Sequence, residues 1–378
     1  MGKYVIVPDS FKGSLSSRQV CRIVSEAIRA VEPESEICTI PLADGGEGTV
    51  EAFLTALGGK LVTTKCHGPY GEERTGYFGL LPDGTAVVEM AAAAGLPLVG
   101  ERRDPEKSTT YGVGELMAAA TKSGARRLVL GLGGSATNDG GCGAAAALGV
   151  RFLSEQGTPF IPTGGTLQKI AHIDMTGLLP ELRRIPVVAM CDIDNPLCGA
   201  NGAAAVFGPQ KGADAAMVRR LDEGLYRLAW IIQTDLGKDV LHLPGGGAAG
   251  GMGAGSVAFF GAALQMGIET ALDVARFDAL AAGADLVITG EGQLDGQSLR
   301  GKVVVGVAHR AKALNIPAVA LVGGCQGAWQ SIYREGIVGV FPICTAPMTL
   351  AEAMAHSEEN LRRTAENMLR FFGSIRKS

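Results

Sequence analysis

The sequence predicts an α/β fold made of two α/β domains: a parallel, Rossmann-like sheet built from both chain ends, and a second, mixed α/β domain inserted between them. Three observations carry this. Short apolar runs alternate with amphipathic stretches near both ends of the chain, the strand–helix order of parallel sheets. Between residues 60 and 90 the texture changes to short strands parted by tight turns, which suits antiparallel hairpins. The length of 378 residues also exceeds the roughly 250–300 residues at which a single core stops growing. The expected division is residues 1–65 with 285–378 as the Rossmann-like domain, and 66–284 as the inserted domain carrying glycine-rich phosphate-binding loops.

Taken in order, Lys3 to Val7 is a short apolar run ended by Pro8-Asp9, a buried strand by length and flanks. Ser16 and Gln19 then form a capping box, and Val20, Ile23, Val24, Ala27, Ile28 and Val31 keep one apolar face until Pro33. Ile37 to Ile40 is the next strand, and Asp44-Gly45-Gly46-Glu47-Gly48 opens a second helix through Leu57. Leu61 to Thr63, Tyr77 to Gly79 and Ala86 to Val88 are the hairpin strands, with Pro82-Asp83-Gly84 as one turn. Alternation resumes with a helix at Val113–Lys122, a strand at Leu128–Leu130, a helix after Gly141 and a strand at Pro186–Met190. A long amphipathic helix spans 214–236, and an apolar helix follows the glycine cluster 245–255. Strands at 285–289, 317–322 and 338–343 alternate with helices, and Leu361, Ala365, Met368, Leu369 and Phe372 mark the stripe of a terminal helix.

Composition excludes several classes. Hydrophobic residues make up 47% and charged residues 19%, a globular balance. The 34 Lys+Arg against 38 Asp+Glu give a net charge of -4, with no electrostatic footprint for nucleic acid or an acidic membrane. The eight Cys are scattered without a C-x-x-C pair, so they read as reduced core residues, not a metal site or a disulfide framework. With no apolar stretch near 18 residues and no signal peptide, the expectation is a cytoplasmic protein. A homo-oligomer is compatible with the sequence.

Glycine, at 55 residues, is about twice ordinary usage and falls in clusters. The fullest is GLGGSATNDGGCG at 131–143, which leaves an apolar strand and enters a helix. Free N–H groups and a helix dipole meet at such a turn and suit a phosphate. Further polar clusters stand where apolar strands end: 9–14, 44–48, 192–195 and 291–295. In open α/β sheets that is where ligands bind. Lys12, Lys211 and Lys302 offer positive charge, while Asp44, Asp192, Asp194, Glu291 and Asp295 offer acceptors for a cation or a substrate hydroxyl. Phosphoryl transfer uses this combination.

Two motif matches are weaker. Residues 296–302 fit G-x-x-x-x-G-K, but Val303 stands where a P-loop needs Ser or Thr. Residues 245–250 fit G-x-G-x-x-G, with Glu269 beyond, but Pro244 precedes them where a Rossmann strand is wanted. That second motif supports the alternative reading, an NAD(P)-dependent dehydrogenase acting on a small hydroxy acid.

PDSFKGSLS (8–16), PLADGGEGT (41–49), GGSATNDGG (133–141), CDIDNPLCGANGAAAVFGPQKGA (191–213), GGGAAGGMG (245–253) and TGEGQLD (289–295) occur in this order. Together they resemble the bacterial glycerate kinases, the family that includes the glycerate 2-kinases of glucarate and glyoxylate catabolism. The resemblance implies two α/β domains with a cleft, and ATP- and Mg²⁺-dependent phosphorylation of D-glycerate to 2-phosphoglycerate, with no nucleic-acid or membrane partner. Within that pattern Asp192 is the expected general base and Lys211 is expected near the transferring phosphate. Lys12, Ser14, Asp44 and Glu47 are expected at the glycerate. Gly133, Gly134, Ser135, Gly246, Gly247, Gly250 and Lys302 are expected at the ATP phosphates, and Glu291 and Asp295 at Mg²⁺. Gln293 stands where a number of relatives carry Arg, so that Arg's phosphate contact does not carry over.

Overall fold

The computed structural model describes residues 2–41, 48–296, 298 and 303–376. Its contacts divide the chain into two units, Met1–Ala43 with Ile268–Ser378, and Asp44–Gly267.

The first unit is built on a five-stranded sheet in the order Ile337–Pro342, Ala318–Cys325, Leu286–Leu294, Lys3–Pro8 and Glu36–Thr39. Every neighbouring pair is parallel. The two chain ends meet where Tyr4 pairs with Leu286 and Pro8 with Gly290. Tyr4, Val5, Ile6 and Val7 are buried, as are Leu286, Val287 and Ile288, which explains unbroken apolar runs where a half-exposed strand would alternate.

Helix Ser17–Val31 carries the expected capping box: Gln19 N–H donates to Ser16 Oγ at 3.2 Å, and Ser16 N–H donates to Gln19 Oε1 at 2.8 Å. It shares one core with helix Ser357–Arg376, through Val20, Ile23, Val24 and Ala27 on one side and Leu361, Ala365 and Met368 on the other. Arg362 reaches Glu26 at 2.7 Å and Arg22 reaches Glu358 at 3.0 Å across the pair.

The second unit holds a six-stranded sheet in the order Ala263–Gln265, Val187–Met190, Arg127–Gly131, Thr85–Glu89, Glu73–Leu80, Lys60–His67. The first four strands are parallel and the last two antiparallel. The hairpin texture is thus the antiparallel flank of a mixed sheet. Lys60–His67 is its edge strand, which carries this unit's start back to residue 44 and not to 66. At the other end, helix Phe277–Ala281 belongs to the first unit. A small antiparallel sheet of Pro159–Phe160, Arg151–Leu153 and His172–Asp174 has strands of two or three residues, too short for a periodic signal.

Helix Ala215–Leu236 starts on Asp214, whose carboxylate accepts from Ala216 and Met217 N–H, and ends on Gly237 in the left-handed region. Helix Ala248–Phe260 is kinked near its start, where Ala249, Gly250 and Gly251 all have positive φ. No described helix is long and apolar enough to cross a membrane.

Candidate active site

In the first unit the sheet order creates a switch point. From Lys3–Pro8 the chain moves one way, to Glu36–Thr39, and from Leu286–Leu294 the other way, to Ala318–Cys325. Their carboxyl ends therefore diverge side by side, the place where open α/β sheets take ligands. The loop after Pro8 is stitched to its neighbour by Asp9 N–H donating to Gly290 O at 2.8 Å. It then turns tightly: Phe11 N–H donates to Leu15 O at 2.7 Å, Leu15 N–H to Phe11 O at 3.0 Å, and Gly13 has φ 82°. Gly292 allows this loop to lie close, because a Cβ there would stand 3.3 Å from Lys12 N and 3.2 Å from Phe11 Cα.

Lys12 is exposed at this switch point and Ser14 half-buried, its Oγ donating to Phe11 O at 3.1 Å. Glu291 is buried near the end of its strand, and Asp295 is tied to Ser298, whose N–H donates to Asp295 Oδ1 at 3.3 Å. The structure thus brings Lys12, Ser14, Glu291 and Asp295 to one end of one sheet. Asp44, Glu47 and Lys302 lie outside the described residues.

In the second unit Arg127–Gly131 runs into Gly133, half-buried, and Gly134, exposed with φ 73°. Gly134 O accepts from Leu96 N–H at 2.8 Å. Beside it opens a shallow cleft of about 570 Å³ lined by Leu96, Pro97, Gly100, Glu101 and Arg103. Past Gly134 the glycine stretch turns inward. Ser135 is buried, and its Oγ lies 3.0 Å from Thr137 Oγ1 and accepts from Thr137 N–H. Its hydroxyl is engaged inside the loop, not presented outward.

Asp139 is fully buried and knits the loop together. Its carboxylate accepts from Thr110 N–H and Oγ1 at 2.8 Å each, from Gly141 N–H at 3.1 Å and from Gly143 N–H at 3.2 Å. Burial raises its pKa, and those hydrogen bonds oppose the rise. Lys211 is 2% exposed and donates from Nζ to Thr137 O at 2.6 Å. Burial lowers its pKa to about 8, with the Asp139 charge pulling the other way.

The second glycine cluster is packed, not open. Gly246, Gly247 and Gly250 are buried. A Cβ on Gly247 would stand 2.3 Å from Pro196 O, and one on Gly250 would stand 1.9 Å from Thr137 O. These glycines let the segment lie against the first glycine loop, and Gly140 N–H donates to Gly250 O at 3.0 Å. No described strand leads into residue 245, since Asp239–Pro244 are loop and turn. The dinucleotide-binding fingerprint therefore lacks its strand, and the dehydrogenase alternative lacks its support.

Asp192 follows strand Val187–Met190 and is exposed. Its Oδ1 accepts from Gly267 N–H at 2.6 Å at the start of helix Gly267–Val274. Among the described residues no three His, Cys, Asp or Glu side chains gather to hold a metal. Mg²⁺ commonly takes one or two carboxylates and completes its shell with phosphates and water, so the donor chemistry of Glu291 and Asp295 fits that ion.

Sequence reasoning passed over Glu89 and Thr110. Glu89 is buried at the end of Thr85–Glu89 and accepts from Val50 N–H at 2.6 Å and Tyr77 OH at 3.1 Å. A lone acid after the apolar run Ala86–Val88 was its signal. Thr110 lies 29 positions from Asp139, with no local pattern to join them.

Similarity to known proteins runs through the whole chain. The profile of the Glycerate kinase family matches residues 4–373. The glycerate kinase of Bacillus cereus is 46% identical over 368 residues, covering 97% of each chain. The glycerate 2-kinase of Escherichia coli K12 is 43% identical over 368 residues, again covering 97% of each. A crystal structure named for a glycerate kinase 2 of Salmonella typhimurium LT2 superposes with a TM-score of 0.86 at 44% identity, covering 100% of both chains. A fold shared end to end and a profile matching nearly every residue lead to one conclusion: the chain belongs to the glycerate kinase family.

Proposed function

We propose that this chain transfers the γ-phosphoryl group of ATP to D-glycerate, giving 2-phosphoglycerate. The observation that carries the reading is end-to-end similarity to glycerate kinases, at 43% identity to a glycerate 2-kinase. The residues supply what such a transfer needs. Lys12 and Ser14 hold the glycerate carboxylate at the switch point, and Asp44 and Glu47, whose assignment rests on sequence, accept from the glycerate hydroxyls. Asp192, exposed with one oxygen fixed by Gly267 N–H, takes the proton of the attacking hydroxyl. The exposed Gly133–Gly134 turn offers N–H groups to phosphate, and the cleft at Leu96 and Pro97 offers apolar surface to the nucleotide base. Lys211 holds the glycine loop through Thr137 O and so positions the phosphate site without touching the phosphate. Lys302 adds positive charge for ATP. Glu291 and Asp295 hold Mg²⁺, which when bound neutralises charge on the phosphates.

The test is a coupled assay with D-glycerate, ATP and Mg²⁺. With enolase, pyruvate kinase and lactate dehydrogenase, and no added phosphoenolpyruvate or mutase, NADH is consumed only when the product is 2-phosphoglycerate. Adding phosphoenolpyruvate and omitting enolase reports ADP from either regiochemistry. Signal in both formats is expected. Signal in the second format alone would place transfer at the 3-hydroxyl, and no glycerate-dependent signal in either would overturn the activity.

A further inference from the structure

The cleft beside Gly134 is tied to the glycine stretch through both of its walls, all within the Asp44–Gly267 unit. In one wall, Leu96 N–H donates to Gly134 O and Ala136 N–H donates to Ala94 O, each at 2.8 Å. The segment that carries Leu96 and Pro97 is thus zipped to the turn. In the other wall, Arg103 donates from Nη1 to Gln210 O at 2.9 Å. The next residue, Lys211, returns to Thr137 O in the same glycine stretch. Gly212 lets these segments meet, since a Cβ there would stand 2.5 Å from Arg103 O. The volume of about 570 Å³ falls in the range of small-molecule sites.

Arg103 lines this cleft as a cation held in place without an anion. Its Nε donates to Gly100 O at 3.2 Å and its Nη1 to Gln210 O, so two main-chain carbonyls set the guanidinium plane. Among the described residues both N–H donors of Nη2 stay open. The carboxylates next along the chain are taken: Asp104 pairs with Lys107 at 2.9 Å and Glu106 with Arg220 at 2.8 Å. Glu101 lines the same cleft, but no ion pair joins it or any other described carboxylate to Arg103. A guanidinium fork fixed in this way takes an anion with little further loss of rotamer freedom. The cation expected near the transferring phosphate, Lys211, is buried and turned onto Thr137 O. Positive charge at this turn therefore falls to the cleft wall.

We propose that Arg103 is the residue that holds the ATP phosphates at the Gly133–Gly134 turn, its open Nη donors meeting phosphate oxygens while Leu96 and Pro97 face the base. The chemistry of the cleft selects this ligand. Phosphate oxygens only accept, which suits a group that only donates. A carboxylate such as glycerate could also take the fork, but it has no flat apolar face to cover Leu96 and Pro97. A nucleotide brings an anionic chain and a flat ring together. The assignment rests on the ATP reading above and adds the anchor for the nucleotide.

The experiment titrates wild type and Arg103→Met with ADP, inorganic tripolyphosphate and adenosine by calorimetry with Mg²⁺ present, and adds urea unfolding and steady-state kinetics. The expected result is affinity for ADP and tripolyphosphate lower by about 10–100-fold, the range for a lost charge-assisted hydrogen bond. Adenosine binding, the KM for D-glycerate and the urea midpoint should stay essentially unchanged. Arg103→Lys keeps the charge without the fork and should recover only part of the loss. An adenosine loss as large as that for ADP, or tripolyphosphate binding left intact, would overturn the assignment and move Arg103 to the base. Wild-type affinity for ADP in the Met variant would remove Arg103 from the site. Loss of every ligand together with a lowered urea midpoint would make Arg103 a strut for the Gln210 segment only. The titrations need no glycerate, so the two readings fail separately. A wild type that binds ADP without phosphorylating glycerate would sink the parent activity and leave the Arg103 role standing, and one that binds neither ADP nor tripolyphosphate would overturn both.

Discussion

Asp192, the proposed base, is a carboxylate whose structural bond can be separated from its proposed chemistry. Its Oδ1 accepts from Gly267 N–H, a bond that an amide oxygen can also accept, so Asp192→Asn keeps the support and removes the base. The expected result is a kcat lower by about 10²–10⁴, with KM for glycerate and the unfolding midpoint close to wild type. Turnover near wild type in a folded variant would remove Asp192 from the base role. Lys211 makes a prediction whose sign is less intuitive. Its pKa is about 8 in the native state against 10.5 unfolded, so between those values the unfolded chain binds more protons. Stability from this group therefore rises with pH across that window, by at most about 3 kcal/mol at one pKa unit per 1.36 kcal/mol. Buried Cys21 and half-buried Cys198, each raised to about 12 by desolvation, work in the opposite direction, because their unfolded thiols ionise first. The clean measurement is the difference between wild type and Lys211→Met in urea unfolding at pH 7.5 and 10. The wild type should gain relative to the variant at the higher pH, while its activity falls as the neutral amine loosens its hold on Thr137 O. A difference independent of pH would show that Lys211 does not titrate there.

At the scale of elements, the glycine clusters divide the glycines that reach the surface from those that pack against the protein itself. The turn at Gly133–Gly134 reaches the surface, whereas Gly247, Gly250, Gly253 and Gly255 make room for neighbouring main chain. Gly250→Ala would place a methyl 1.9 Å from Thr137 O in a left-handed residue, combining a clash with backbone strain, and should cost several kcal/mol. Gly199→Ala, with φ 90° and nothing within 4 Å, meets only the strain and should cost about 1–2 kcal/mol. Chemical denaturation of the pair checks this, and equal losses would mean the Gly250 contact relaxes freely. This division was hidden in the sequence, where both clusters read as loops approaching a ligand, because composition does not say whether a missing Cβ makes way for a ligand or for a carbonyl. The strands and helices were legible, since apolar runs such as Tyr4–Val7 and the capping box at Ser16 are local signals. So were the polar strand ends at Lys12, Glu291 and Asp192. Thr110 was not, because what distinguishes it is burial and a partner brought from far along the chain.

For the molecule as a whole, discontinuity sets the order of assembly. The Asp44–Gly267 unit is one unbroken stretch with its own sheet and core. The other unit needs Lys3–Pro8 to pair with Leu286–Leu294, closing a loop that contains the whole inserted unit. Loop closure of this length slows folding, and parallel non-local pairing adds to the delay. The chain has two tryptophans, and each falls in a different unit. Trp230 lies on helix Ala215–Leu236, with the Arg227 guanidinium 4.8 Å from its ring centroid. Trp329 stacks at a tilt 5.9 Å from Tyr333 in the other unit. Trp329→Phe therefore leaves a reporter for the inserted unit, and Trp230→Phe one for the stitched unit. In stopped-flow refolding, the Trp230 signal should return first and the Trp329 signal later, since the inserted unit can complete its core while the ends are still apart. A proline-limited phase would appear in both variants and be removed by a prolyl isomerase, leaving the difference between units intact. Coincident single-exponential recovery of both signals would instead mean that the stitched sheet and the inserted unit form in one cooperative step.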